Sequence, residues 1–123
     1  MASSPIVHIE IPAVNPAKAS RFYAETFDWK ILHDDSFDYY MFEAKPGPGG
    51  GFVKVEEGAI TGNPNQPLIY FGTDDIEAML AKIEANGGKT VAGKTEIPYT
   101  GWFAIFTDPE GNRLALYTAM HQH

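Results

Sequence analysis

Residues Val7 to Ile11 alternate apolar and polar side chains, Val-His-Ile-Glu-Ile. Period two marks a strand with one buried face, so Val7, Ile9 and Ile11 are expected to pack inward and His8 and Glu10 to point the other way. Asn15-Pro16 then predicts a helix start, because Asn suits the cap and Pro the first turn. Ala19, Phe22, Tyr23 and Phe27 recur at helical spacing and form its apolar stripe. Strands are predicted over 29–32 and 37–44, with Asp34-Asp35-Ser36 turning between them. A Pro/Gly loop over 45–50 leads to a third strand over 51–55.

The pattern restarts after a polar stretch, 57–66, rich in turn formers and read as a linker. Residues 67–73 read as a strand. Asp74 or Asp75 caps a helix with the stripe Ile76, Met79, Leu80 and Ile83, and Asn86-Gly87-Gly88 ends it. A short strand over 89–91 follows. The stretches 102–106 and 113–117 form a hairpin joined by Asp108-Pro109-Glu110-Gly111-Asn112. His121, Gln122 and His123 read as a frayed tail. Strand, helix and three strands thus occur twice, roughly sixty residues apart. The predicted fold class is α+β: residues 1–123 form a single domain of two βαβββ modules, about 5–56 and 67–118. The modules pair into a curved mixed sheet, a cup, with the helices on the outer face.

Composition narrows the function classes. An apolar fraction of 44% with 20% charged residues is that of an ordinary globular chain. No apolar run is long enough to span a bilayer, and the first residues lack the basic start and apolar stretch of a signal peptide. Cysteine is absent, which excludes thiolate chemistry and fits a cytoplasmic location. The net charge of -7 repels phosphate backbones and argues against nucleic acid as a partner. The same charge modestly favours cationic small molecules.

The ordered set His8-Ile9-Glu10-Ile11-Pro12, Asn15-Pro16, Phe22-Tyr23 and Phe27-Asp28-Trp29 resembles the opening of vicinal-oxygen-chelate domains. Thr73-Asp74-Asp75-Ile76, Gly87-Gly88, Gly101-Trp102-Phe103 and Asp108-Pro109-Glu110-Gly111-Asn112 resemble their closing pattern. That superfamily holds glyoxalase I, bleomycin-resistance proteins and extradiol dioxygenases. The resemblance covers nearly the whole chain and implies the paired βαβββ fold. Fold alone does not give function.

For the glyoxalase-type enzymes the resemblance implies a divalent metal held in the cup by His and Glu side chains, one from each of four strands. His8 matches the first ligand position. Leu68 and Ala115 stand at two others, and 51–54, where the remaining position lies, holds no His, Asp or Glu. A divalent metal therefore has one matching ligand, and no cofactor is firmly expected. A rearranged site of His8, Glu10 and Glu56 is conceivable if the strand register shifts. Alternation places Leu68, Tyr70, Arg113, Ala115 and Tyr117 in the cup beside His8 and Glu10, with Ile69, Phe71, Leu114 and Leu116 toward the helix. Whether Trp102 or Phe103 faces inward is open. His8 paired with Glu10 is equally readable as a hydrogen-bonded polar pair, and Arg113 as a rim residue or a carboxylate anchor.

Two function classes follow. The favoured one is a glyoxalase/bleomycin-resistance-like protein that binds a small apolar or aromatic molecule without the full metal site. The alternative is a metal-dependent lyase, isomerase or dioxygenase with a rearranged site; a metal-free enzyme with His8 or Glu10 as general base is a third reading. The resemblance implies a homodimer, since small members of the family usually dimerise, and neither a membrane nor nucleic acid is an expected partner.

Overall fold

A computed structural model describes residues 3–120 of the chain. It divides between Ile60 and Thr61 into two compact units. The predicted tail at 121–123 lies outside the described residues.

The first unit runs β1 (His8–Ala13), α1 (Pro16–Phe27), β2 (Lys30–Asp34), β3 (Tyr39–Glu43) and β4 (Gly49–Lys54). Its mixed sheet has the order β1-β4-β3-β2, with β1 parallel to β4 and the other pairs antiparallel. The helix begins as its sequence dictates: the Asn15 side chain accepts from the Lys18 N–H at 3.1 Å, with Pro16 in the first turn. It ends at Asp28, whose φ of 60° is left-handed. Ile11, Ala13, Phe42 and Phe52 on the sheet and Ala19, Phe22 and Tyr23 on the helix make the core.

Aromatic rings tie that core together. Trp29 stacks on Tyr23 (4.8 Å between centroids) and on Phe42 (4.3 Å), and Phe22 meets Tyr23 edge-on at 5.0 Å. Offset and edge-on contacts of this kind are worth about 0.5–1.5 kcal/mol each beyond area burial. Trp29 therefore belongs to the core and precedes β2 rather than opening it. Phe37 lies in the turn before β3 and is 81% exposed, so the predicted strand starts two residues late. Val7 is 76% exposed and precedes β1, so it does not join Ile9 and Ile11 in packing inward. Its partner strand begins at Gly49, opposite His8, which leaves nothing beside Val7 to cover it.

The second unit repeats the plan: β5 (Tyr70–Gly72), α2 (Ile76–Ala85), β6 (Lys89–Ile97), β7 (Gly101–Thr107) and β8 (Arg113–Ala119). The sheet order is β5-β8-β7-β6, again with the first strand parallel to the last. The two units make an α+β fold of paired βαβββ modules, one four-stranded mixed sheet in each. Asp75 is the helix cap, accepting from the Ala78 N–H at 3.0 Å, and Ile76, Leu80 and Ile83 are buried. The strand predicted over 67–73 shrinks to three residues, although the Ile69 carbonyl still accepts from the Ala115 N–H. Pro67 has no N–H to offer a ladder, and a turn at 64–66 precedes it. The strand predicted over 89–91 instead runs nine residues, with register shifts between Thr90 and Ala92 and between Ala92 and Thr95. Those irregularities and Gly93 blur the period-two signal. Residues 57–66 hold no helix or strand.

The β7–β8 turn is built on one side chain. Asp108, 3% exposed, accepts from the N–H groups of Glu110 (3.0 Å) and Asn112 (2.8 Å), and from Asn112 Nδ2 (2.9 Å).

Candidate functional site

Each sheet has one face against its helix and one face away from it, here the helix-free face. Partners in register share a face. In the first unit this puts Glu10, Gly51, Met41 and Leu32 in one row across the helix-free face, with His8 and Gly49 in the row before and Val53 and Tyr39 in the row after.

Tyr39 is the residue that organises this face. Its ring leans back over Gly51, so close that a Cβ built there would lie 1.9 Å from the phenol oxygen and 2.2 Å from Cζ. Tyr39 Oη donates to Glu10 Oε2 at 3.4 Å and lies 3.4 Å from His8 Nε2. A phenol has one proton, so it gives that proton to Glu10 and accepts from the ring N–H of His8. Both bonds are long and weak individually. Burial pushes the Tyr39 phenol above its ordinary value of 10.0; the neighbouring Glu10 charge and the hydrogen bond to it act in the same direction. His8 and Glu10 are both exposed. The geometry thus gathers His8 and Glu10, as the alternation predicted, and adds Tyr39, which strand alternation alone did not single out. The available signal was the glycine run 49–51: a strand stripped of side chains needs cover, and an aromatic ring from a neighbouring strand supplies it.

In the second unit the register sets Tyr70, Ala115 and Ile105 in one row, Gly72, Tyr117 and Phe103 in the next, and Arg113 with Thr107 and Lys89 in the row on the other side. Leu114, Leu116, Ala104 and Phe106 occupy the opposite, helix-covered face and are all buried. The open choice at 102–103 is settled: Phe103 shares the face with Tyr117, whereas Trp102 pairs with Thr118 and lies under Lys94 Nζ, 5.0 Å from its ring centroid. Tyr70 is 51% exposed, Phe103, Arg113 and Tyr117 are half-buried, and Tyr117 Oη donates to the Thr100 carbonyl at 3.3 Å. Ala115 is buried, its methyl set between Tyr70 and Ile105. Leu68 is half-buried and lies two residues before β5, outside it.

The conceived trio of His8, Glu10 and Glu56 does not assemble. β1 and β4 run parallel with His8 opposite Gly49, and Val55 N–H reaches the Ala13 carbonyl, so Glu56 lies past the far end of β1. Among the described residues no three His, Cys, Asp or Glu side chains cluster to hold an ion. The donors present do not fit a four-ligand divalent site: Leu68 and Ala115 carry no lone pair, and the space over Gly51 is filled by the Tyr39 ring. His33, at the β2 end, is engaged instead by Asp35 (3.0 Å) and Asp38 (2.8 Å) and stacks on Tyr40.

Two βαβββ units, each pairing a helix-covered face with a helix-free face that carries aromatic rings, define the class as the paired-module fold of vicinal-oxygen-chelate proteins. The chain belongs to the Glyoxalase/Bleomycin resistance protein/Dioxygenase superfamily, whose family model matches residues 5–116. It is similar to a glyoxylase-like domain-containing protein of Didymella fabae, 29% identical over 115 residues that cover 89% of this chain and 90% of that one. A shorter stretch, 56 residues at 32% identity, resembles the anthracycline biosynthesis protein DnrV of Streptomyces peucetius; it covers 46% of this chain and 20% of that protein's length. Among solved structures, TnmS3, an antibiotic binding protein from Streptomyces sp. CB03234, matches with a TM-score of 0.72 and 25% identity, covering 97% of this chain and 98% of that one. Among the described residues no helix is long and apolar enough to cross a membrane.

Proposed function

We propose that this protein binds a small molecule with a flat apolar body on the helix-free face of its second sheet, without the family's four-ligand metal site. One observation carries the reading: Tyr70, Phe103 and Tyr117 stand in adjacent register rows around the small side chain of Ala115, on the sheet face that no helix covers. Side chains of this kind with few polar groups among them suit an aromatic or polycyclic ligand. The antibiotic-binding description of TnmS3 and the anthracycline context of DnrV lend support. Calorimetric titration with naphthylmethanol, a flat neutral probe, tests the reading. Saturable binding weakened about tenfold or more by Phe103→Ser is expected; binding unaffected by that substitution, or none, overturns it.

The His8–Tyr39–Glu10 chain favours one second reading, a metal-free enzyme in which Glu10 or His8 takes a proton from a molecule bound on the helix-free face of the first sheet. Turnover abolished by Glu10→Gln with binding retained would separate it from simple capture. The proposal extends to a homodimer in the cytoplasm. The long β6 edge is the kind of strand a second copy covers, and the absence of cysteine suits a reducing compartment. A monomer by light scattering would refute the dimer.

A further inference from the structure

The helix-free face of the second sheet carries positive charge at one end, although the chain as a whole has a net charge of -7. Arg113 and Lys89 stand there in one register row, with Thr107 between them. The acidic side chains of this unit lie elsewhere. Asp74, Asp75, Glu77 and Glu84 belong to α2 or to the residues just before it, and Glu96 pairs with Trp102 on the opposite face. Asp108 and Glu110 are in the β7–β8 turn, where N–H groups of Glu110 and Asn112 take up the Asp108 carboxylate. Among the described residues neither Arg113 nor Lys89 forms an ion pair. Lys89 is exposed on the β6 edge, but Arg113 is half-buried on β8, an inner strand. Taking a guanidinium partly out of water beside no counter-charge costs free energy, and this chain has a surplus of carboxylates that could have supplied one.

From this segregation of charge we infer that Arg113 and Lys89 bind a carboxylate, and that the ligand of this protein is a flat apolar body bearing that group at one end. The inference rests on the binding function proposed above and names its ligand class. Every residue it uses lies on one face of one sheet. The Arg113 guanidinium offers two parallel N–H donors to the two carboxylate oxygens, a planar match that an ammonium lacks. Lys89 reaches the same group from across Thr107. Adjacent strands lie about 4.8 Å apart, so the two Cα atoms are about 10 Å apart and the long side chains can converge. Thr107 adds a hydroxyl donor between them. The apolar body then runs along the strands over the neighbouring rows. These begin about 7 Å away with Tyr70, Ala115 and Ile105 and continue with Tyr117 and Phe103. The acidity of the rest of the chain opposes an anion only weakly here, because exposed charges more than about 8 Å away are screened at physiological salt.

Calorimetric titration of the full chain compares three probes that share one aromatic body: naphthoate, anionic at neutral pH; naphthylmethanol, neutral; and naphthylmethylamine, cationic. Naphthoate is expected to bind about tenfold tighter than the alcohol, as befits a half-exposed bidentate ion pair, with the amine weakest. Arg113→Gln is expected to bring naphthoate down to the alcohol's affinity. Arg113→Lys keeps the charge and loses the fork, and is expected to retain a preference of only about twofold. Lys89→Gln is expected to reduce the preference about twofold. Lys94→Gln removes the same unit of charge, but the Lys94 Nζ lies over Trp102 on the opposite face, so the ranking is expected to survive. That control separates a local contact from a change in overall charge. Equal affinity for naphthoate and alcohol, a preference that survives Arg113→Gln, or tightest binding of the amine overturns the inference while leaving the binding function intact. If Arg113→Gln does not fold, Arg113→Lys decides, and a full tenfold preference in it overturns the inference. If none of the three probes binds, the binding function fails and the inference falls with it.

Discussion

Gly50 and Gly51 are neighbours on β4, yet an added methyl group should have opposite consequences at the two sites. At Gly51 the three atoms nearest the new Cβ all belong to the far end of the Tyr39 side chain, the oxygen first at 1.9 Å. That end can swing aside. Gly51→Ala should then cost the two long hydrogen bonds and part of the ring's burial, together about 1.5–2 kcal/mol. It should regain about 0.5–1 kcal/mol from replacing a glycine within a strand. The net loss is about 1 kcal/mol. At Gly50 the Cβ would lie 1.7 Å from the Ile9 carbonyl oxygen and 2.7 Å from its carbon, both backbone atoms. β1 and β4 would have to part, so Gly50→Ala should cost about 3 kcal/mol or more. Urea unfolding of both variants, in wild-type and Tyr39→Ala backgrounds, measures the difference. With Tyr39 truncated, Gly51→Ala should become stabilising by about 0.5–1 kcal/mol, a coupling of roughly 1.5–2 kcal/mol. Gly50→Ala should remain equally damaging in both backgrounds. A Gly51→Ala cost that does not depend on residue 39 would refute the placement of the ring, and with it the polar chain of the first unit.

Further outcomes follow from single side chains. Thr26 is fully buried in α1 and its hydroxyl has no partner among the described residues, so Thr26→Val should stabilise by about 1 kcal/mol and raise the thermal midpoint by a few degrees. Asp108→Ala strands the three N–H donors of the β7–β8 turn and should cost on the order of 3 kcal/mol in urea unfolding; a loss below about 1 kcal/mol would show that the turn holds without its carboxylate. Because folding raises the Tyr39 phenol above 10.0, its neutral form is favoured in the native state. That contribution is complete below pH 10 and disappears as pH climbs through the raised value. Difference absorbance between wild type and Tyr39→Phe should show tyrosinate forming later than for a free tyrosine, and the stability gap between them should narrow only in that alkaline window.

How far the sequence reveals the fold depends on whether a local signal competes with a tertiary one. Asn15-Pro16 and Asp75 announce both helices because capping is a local matter, and the stripes at Phe22 and Tyr23 and at Ile76 and Ile83 lie in the cores as their spacing requires. Alternation correctly turned His8 and Glu10 away from Ile9 and Ile11. It failed at Val7, because burial there needs a partner strand that begins one residue later. It also failed on the extent of β5 and β6, where Pro67 and the register shifts interrupt the ladder. Tyr39 escaped notice because its role depends on what β4 lacks: only the pairing of β4 with β1 and β3 shows that the glycine at 51 lies beside Glu10. The choice between Trp102 and Phe103 likewise waited on cross-strand register, since two adjacent aromatics give alternation no direction.

The most direct test of the whole account is an amide chemical-shift map recorded while naphthylmethanol is titrated into labelled protein. The largest shifts are predicted at Tyr70, Phe103, Ala115 and Tyr117, with the exposed side of α2 silent. Shifts confined to the helices, or none at saturating probe, would contradict the claim that the helix-free face of the second sheet holds the ligand.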